Sequence, residues 1–190
     1  MMARTISLKF AGAAMAGLLA TVVWLNSLHA DAVARSTETP KVGQIAPSFD
    51  ALDQDGTRWR LADLTGKKIV LLYFYPKDDT PGCTLEACGL RDRMGQLSAD
   101  DVQVLGVSFD SAESHKKFRA KYQLNFPLLV DTEGKLADLY GARHAPNATM
   151  DKRISFLIGK DGKIAHITDT NSASIHLSEM QEAIAIIKSK

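Results

Sequence analysis

Tyr75-Pro76-Lys77-Asp78-Asp79-Thr80-Pro81-Gly82-Cys83-Thr84-Leu85-Glu86-Ala87-Cys88 carries both cysteines of the 190-residue chain. An apolar run, Ile69 to Tyr75, precedes it and is rich in β-formers. After it, Cys83, Ala87, Leu90, Met94 and Leu97 recur at the spacing of one helix face. The stretch therefore reads as strand, Pro/Gly loop and helix, with Cys83 in the first helical turn. Pro76 closes the strand. Pro81 suits a helix start, because it lacks only an N–H that would be unpaired there.

That placement has chemical consequences. A helix N-terminus carries partial positive charge and unpaired N–H donors. Both favour a thiolate, the nucleophilic form of cysteine. Cys83 shares the core-facing stripe, so it is expected in a recess. Cys88 lies about 140° further round an ideal helix, away from that stripe. On an intact helix the two Cα atoms stand roughly 9 Å apart, whereas a disulfide needs about 4.4–6.8 Å. The two sulfurs therefore bond only if the first turns of the helix unwind.

Lysine and arginine total 23 against 22 acidic residues, a net charge of +1. That balance removes any electrostatic reason to expect nucleic acid as a partner. Two cysteines are too few for a stapled scaffold. His115, His144, His166 and His176 are scattered without a zinc-ligand spacing, so no metal and no other cofactor is expected. Residues 1–34 read as a signal peptide. Arg4 and Lys9 precede the uncharged run Phe10 to Leu28, and small residues at Ala30, Ala32 and Ala34 offer two cleavage sites. An uncleaved membrane anchor is the alternative. On either reading the rest of the chain is expected to be exported, most simply to the periplasm. Residues 35–41 read as a linker and 42–190 as one domain.

Within that domain, Phe49 to Leu52 and Thr57 to Leu61 flank an Asp-Gly turn and read as a β-hairpin. Asp63 to Lys68 is a polar connection into the strand Ile69–Tyr75. Val102 to Val107 reads as a second central strand. Asp110 to Glu113 has capping-box character and starts a helix to about Tyr122. On its face, His115 reads as a packed or surface histidine rather than a catalyst. Phe126 to Val130 is a short strand and Lys135 to Tyr140 a short helix. A final hairpin, Arg153 to Ile158 and Lys163 to Thr168, precedes a helix from about Ser178 to Lys188. This order argues an α/β fold, a central mixed sheet with helices on both faces. A nucleophilic cysteine at the top of a strand–loop–helix unit points to the thioredoxin-like class.

The pattern Pro76-x3-Thr80-x2-Cys83 resembles the peroxiredoxin active-site motif. Gly43-x2-Ala46-Pro47-x-Phe49 resembles that family's opening segment. Tyr73 to Cys88, with its C-x4-C pair, looks like the Q-type branch, the bacterioferritin comigratory proteins. Gly106-Val107-Ser108, Ser114 to Phe118 and Arg153-x-Ser155-Phe156-Leu157-Ile158 continue the likeness over about residues 41 to 188. Two positions depart from it: Phe109 follows Ser108, and Ser155 replaces a threonine common after the arginine.

The resemblance implies a thiol peroxidase acting on hydrogen peroxide and organic hydroperoxides. It implies that Cys83 is the peroxidatic cysteine and Cys88 the resolving one. It further implies that Thr80 bonds the thiolate and the peroxide, Pro76 shields the pocket, Arg153 holds thiolate and peroxide, and Glu86 orients Arg153. A thioredoxin-like protein is the implied reductant of a Cys83–Cys88 disulfide, and the branch leans towards a monomer. An exported thiol–disulfide oxidoreductase and a copper-binding thioredoxin-like chaperone are the alternatives. The first would favour C-x2-C spacing, and the second lacks an evident third ligand.

Overall fold

The computed structural model describes residues 39–188. The leader read in 1–34 and the start of the linker fall outside the described residues. Residues 39–41, at the end of that linker, pack on the domain: Pro40 is buried and the Thr39 hydroxyl donates to the Gly141 carbonyl at 3.4 Å. The expected hairpin forms from β1 (Asp50–Leu52) and β2 (Arg58–Arg60), paired antiparallel. Asp53 holds its turn, accepting from the backbone N–H of Asp55 and Thr57 and from the Trp59 indole, each at 2.9 Å. Leu61 does not extend the strand. Its side chain is buried, and it opens a one-turn helix, α1 (Leu61–Leu64), where a polar connection was expected.

The main sheet has five strands: β3 (Ile69–Phe74), β4 (Val102–Ser108), β5 (Leu128–Val130), β6 (Ile154–Ile158) and β7 (Ile164–Asp169). Their spatial order is β5-β4-β3-β6-β7. β3 sits at the centre, parallel to β4 and antiparallel to β6. Alternation along β3 feeds two cores. Ile69, Leu71, Tyr73 and Tyr75 pack beneath α2 (Pro81–Arg91), α3 (Met94–Ala99), α4 (Ala112–Tyr122) and α6 (Ala173–Lys188). Val70, Leu72 and Phe74 pack against the hairpin, α1 and α5 (Lys135–Leu139). The mixed sheet with helices on both faces is as expected.

Three boundaries differ from the expectation. The helix expected through Leu97 is two helices, because the Arg93 N–H turns back to the Leu90 carbonyl and Arg93 adopts φ −105°, ψ 0°. The apolar stripe survives the break, and all five of its residues are buried. At the start of α4 the cap is Ser111, whose hydroxyl accepts from the Ser114 N–H at 3.3 Å. Glu113 is not the capping acid; it pairs with Lys117 one turn on. The last helix begins at Ala173 rather than near Ser178.

The antiparallel pairing Phe74↔Ile154 puts the end of β3 and the start of β6 at one rim of the sheet. The loop leading to β6 contains Asp151, fully buried, with no hydrogen-bond partner for either carboxylate oxygen. Burial, and then the nearby Asp131 charge, push its carboxyl from an ordinary 3.8 up to about 9; Arg143 opposes the rise, while Asp138 and Asp110 add to it. A carboxyl raised on folding stabilises the fold at low pH. That contribution is lost as pH climbs from the ordinary value towards the folded one. Thermal melts should therefore show the parent losing stability between pH 5 and pH 8.5, and Asp151→Asn losing clearly less over the same interval.

Candidate active site

The chain leaves β3 through Tyr75 and Pro76 and must turn sharply to enter α2. Asp78 anchors that turn. Its buried carboxylate accepts from the hydroxyls of Tyr75 at 2.8 Å and Ser114 at 2.7 Å, and lies 2.9 Å from His115 Nδ1. His115 Nε2 lies 3.2 Å from the Leu129 carbonyl, so the imidazole bridges loop and sheet. The Asp78 N–H donates to Asp110 at 2.8 Å. Asp79 adopts φ +56°, a left-handed conformation that aspartate tolerates. Its carboxylate is held there by the Lys121 ammonium and the Tyr122 hydroxyl. Of the two readings, packed or surface, His115 takes the packed one, and its partner Asp78 was not foreseen.

Thr80 opens α2: its carbonyl accepts the Thr84 N–H at 2.8 Å. Its hydroxyl donates to the Lys77 carbonyl at 3.0 Å. The expected bond from this hydroxyl to Cys83 is not formed, because the one proton it carries is spent on the loop. Pro81 occupies the first turn, and Cys83 follows it there, 2% exposed. In such a turn the N–H groups of Gly82 and Cys83 have no intrahelical acceptor. Pro76 is half-buried and borders a cavity of about 440 Å³ with Lys77, Phe109, Asp110 and Met150; Cys83 does not line that cavity.

Arg153 arrives from the start of β6 and is 6% exposed. Nη2 donates to the Cys83 sulfur at 3.4 Å, and Nη1 donates to Glu86 Oε2. One planar fork therefore spans the sulfur and a carboxylate one helical turn further on. A Cβ at Gly82 would stand 3.1 Å from Nη2, so glycine leaves the guanidinium room. Glu86 is fully buried, and burial, opposed by Arg153, raises its carboxyl from an ordinary 4.5 to about 7. Burial disfavours the Arg153 charge, but Glu86 and Cys83 outweigh it and hold the guanidinium above its usual range. Tyr73 completes the floor; its hydroxyl lacks a partner, and burial drives its pKa well up.

The structure thus gathers Cys83, Glu86 and Arg153 into one contact set. Cys88 is a free thiol, half-buried on another side of the same helix. Arg91 Nη1 donates to the Tyr122 carbonyl at 2.6 Å and ties α2 to α4. Sequence reasoning missed His176, which is fully buried with Nδ1 3.4 Å from Glu86 Oε1. Stepping back four residues from Met180 along the α6 stripe would have reached it.

The AhpC/TSA family model matches residues 42–167. The chain belongs to this family. It is 46% identical over 141 residues to peroxiredoxin Bcp of Escherichia coli, across 72% of this chain and 90% of that protein. It is 38% identical over 125 residues to Oryza sativa peroxiredoxin Q, chloroplastic, across 66% of this chain and 57% of that one. The solved structure of peroxidoxin BcpB from Mycobacterium tuberculosis matches with a TM-score of 0.71 at 31% identity, over 79% of this chain and 97% of that one. The resemblance to the Bcp and Q-type branch and the thioredoxin-like class are borne out, and the protein is a peroxiredoxin, a thiol peroxidase.

Export to the periplasm is overturned by the same matches. The relatives are Bcp and peroxiredoxin Q proteins, and the Oryza sativa relatives are named chloroplastic. A basic start and an apolar run are features of composition alone, and they do not outweigh similarity along the folded domain. Among the described residues no helix is long and apolar enough to cross a membrane.

The Asp78 network generates a stability prediction. Asp78→Ala strands the Tyr75 and Ser114 hydroxyls and the His115 ring. In urea denaturation it should cost about 3 kcal/mol, against no resolvable loss for exposed Glu113→Ala.

Proposed function

We propose that this peroxiredoxin reduces hydrogen peroxide and organic hydroperoxides with Cys83 as the attacking sulfur and Cys88 as the resolving one. The observation that carries the reading is the Arg153 fork on Cys83 and Glu86. A guanidinium stays charged at any working pH and offers donors in a fixed plane. Here it faces the sulfur on one side of the attack. Negative charge that develops on the departing oxygen can be met by the same cation and by the free amides of the first turn.

The chemistry runs as follows. The Cys83 thiolate attacks one peroxide oxygen, an S–O bond forms, the O–O bond breaks, and the departing oxygen leaves as water or an alcohol after taking a proton. The Thr80 hydroxyl, its proton committed to Lys77, is left with lone pairs that can accept a bond from the peroxide O–H. Pro76 limits water at the mouth, and Glu86 keeps Arg153 aimed. The Cys88 thiol then attacks the sulfenic sulfur, an S–S bond forms and water departs. With Cα atoms roughly 9 Å apart on an intact helix, this step requires the first turns of α2 to unwind. A dithiol protein of the thioredoxin type restores both thiols, and the enzyme works as a monomer. The oxidoreductase and copper-chaperone alternatives are not favoured, since the matches are to peroxiredoxins.

Intact mass after one equivalent of peroxide should fall by about two daltons, the two hydrogens lost in a disulfide. Cys88→Ser should instead stop at the sulfenic acid, about sixteen daltons heavier than its reduced form. Cys83→Ser should lose peroxide consumption altogether; consumption at the parental rate would refute the assignment. Far-UV circular dichroism of the disulfide form should show less helix than the reduced form.

A further inference from the structure

Glu86 has two oxygens, and the Arg153 fork takes only Oε2. Oε1 is buried and lacks a hydrogen bond, and His176 Nδ1 lies 3.4 Å from it. His176 is itself fully buried, and neither ring nitrogen has a hydrogen-bond partner. Two polar groups stranded side by side in a core are costly unless they serve each other. Burial, and then the Arg153 charge, push the imidazole down to about 4, so it is neutral at physiological pH and carries one N–H. A small ring rotation would bring that N–H, on Nδ1, onto Oε1.

The sequence arranges this approach. His176 occupies the head of the buried stripe of α6, ahead of Met180, Ala183 and Ile184, where an apolar residue would otherwise belong. Gly89 lets α6 close on α2, since a Cβ there would run into the Leu177 side chain. A Cβ at Gly82 would lie 3.7 Å from that of Ala173, so the two helix starts also touch.

We propose that His176 is a positioning residue of the peroxidatic site, holding Oε1 of Glu86 and, through Glu86, the orientation of the Arg153 fork on Cys83. The proposal rests on Cys83 being the attacking sulfur, as read above. A donor on Oε1 favours the carboxylate form of Glu86. As a carboxylate, Glu86 gives Nη1 a fixed charged anchor. As a neutral acid it offers a weaker acceptor, and the fork is free to drift from the sulfur. The ionisable groups around Glu86 are Arg153 from the start of β6, Cys83 on its own helix, Tyr73 from β3 and His176 from α6.

The test titrates Glu86 itself. The full chain is labelled with carboxyl-13C glutamate, and the resonance that disappears in Glu86→Gln is assigned to Glu86. In the parent this carboxyl should titrate near about 7. In His176→Leu it should move up by about one unit, and in His176→Asn, which keeps an N–H donor near the Nδ1 position, it should return towards the parent. Single-turnover reaction with hydrogen peroxide at pH 7 should be about fivefold slower in His176→Leu, with the deficit closing by pH 9. In the Glu86→Gln background, His176→Leu should change nothing further.

An unmoved Glu86 titration in His176→Leu overturns the proposal. So does an equal loss of rate with and without Glu86, which would mark His176 as packing alone. If His176→Leu does not fold, the His176→Asn and His176→Gln titrations and rates decide in its place. Failure of the peroxidatic reading would appear separately, as peroxide consumption that survives Cys83→Ser while the Glu86 titration still responds to His176.

Discussion

One buried guanidinium organises this protein. Arg153 reaches across the sheet rim to touch the Cys83 sulfur and the Glu86 carboxylate, and almost every local choice nearby serves that approach. β6 runs antiparallel to β3, which brings the start of one strand to the end of the other. Gly82 leaves room for the fork. The Asp78 and Asp79 anchors fix the loop that sets where α2 begins. Truncating one member of such a buried pair strands the other, which makes the arrangement all-or-none.

α2 faces opposing demands. It must be intact to hold Cys83 and Glu86 on Arg153, and it must unwind if Cys83 and Cys88 are to meet. Its composition suits that compromise. Gly82, Thr84 and Gly89 are weak helix formers, each glycine costing about 1 kcal/mol relative to alanine. Tertiary burial of Cys83, Glu86, Ala87 and Leu90 holds the helix instead. Unwinding also returns Glu86 to water. Its folded carboxyl is raised to about 7 from 4.5, so the helical state gives up stability as pH rises through that interval. The opening that the proposed Cys83–Cys88 bond would require is thereby eased as pH rises towards neutral.

Much of this was legible in the residues. The uninterrupted apolar run of β3 marked a central strand, and the spacing from Cys83 to Leu97 marked the buried face even though the helix breaks at Arg93. The Pro76, Thr80, Cys83 and Arg153 pattern brought the peroxiredoxin resemblance, which also linked an arginine 70 positions away to the cysteine. What stayed hidden were contacts between residues whose types do not announce them. His176 reads as a polar residue ahead of a helix until α6 is seen to start at Ala173. Asp78 looks like a loop group, and nothing in the sequence pairs it with His115, until the turn folds them together. The Thr80 hydroxyl has one proton, and no one-dimensional pattern says which carbonyl receives it. The periplasmic placement was misjudged because it rested on the composition of the first residues rather than on the folded domain.

The most direct measurement is the alkylation rate of Cys83 by iodoacetamide at pH 7 in the Cys88→Ser background, with and without the double change Arg153→Met and Glu86→Gln. The paired change removes the cation without stranding a buried carboxylate, and far-UV spectra check that the fold is kept. If Arg153 holds the sulfur in its reactive form, the rate should fall at least about tenfold. A rate that is unchanged would mean that the guanidinium beside Cys83 does nothing for its reactivity, and the central contact would lose its meaning.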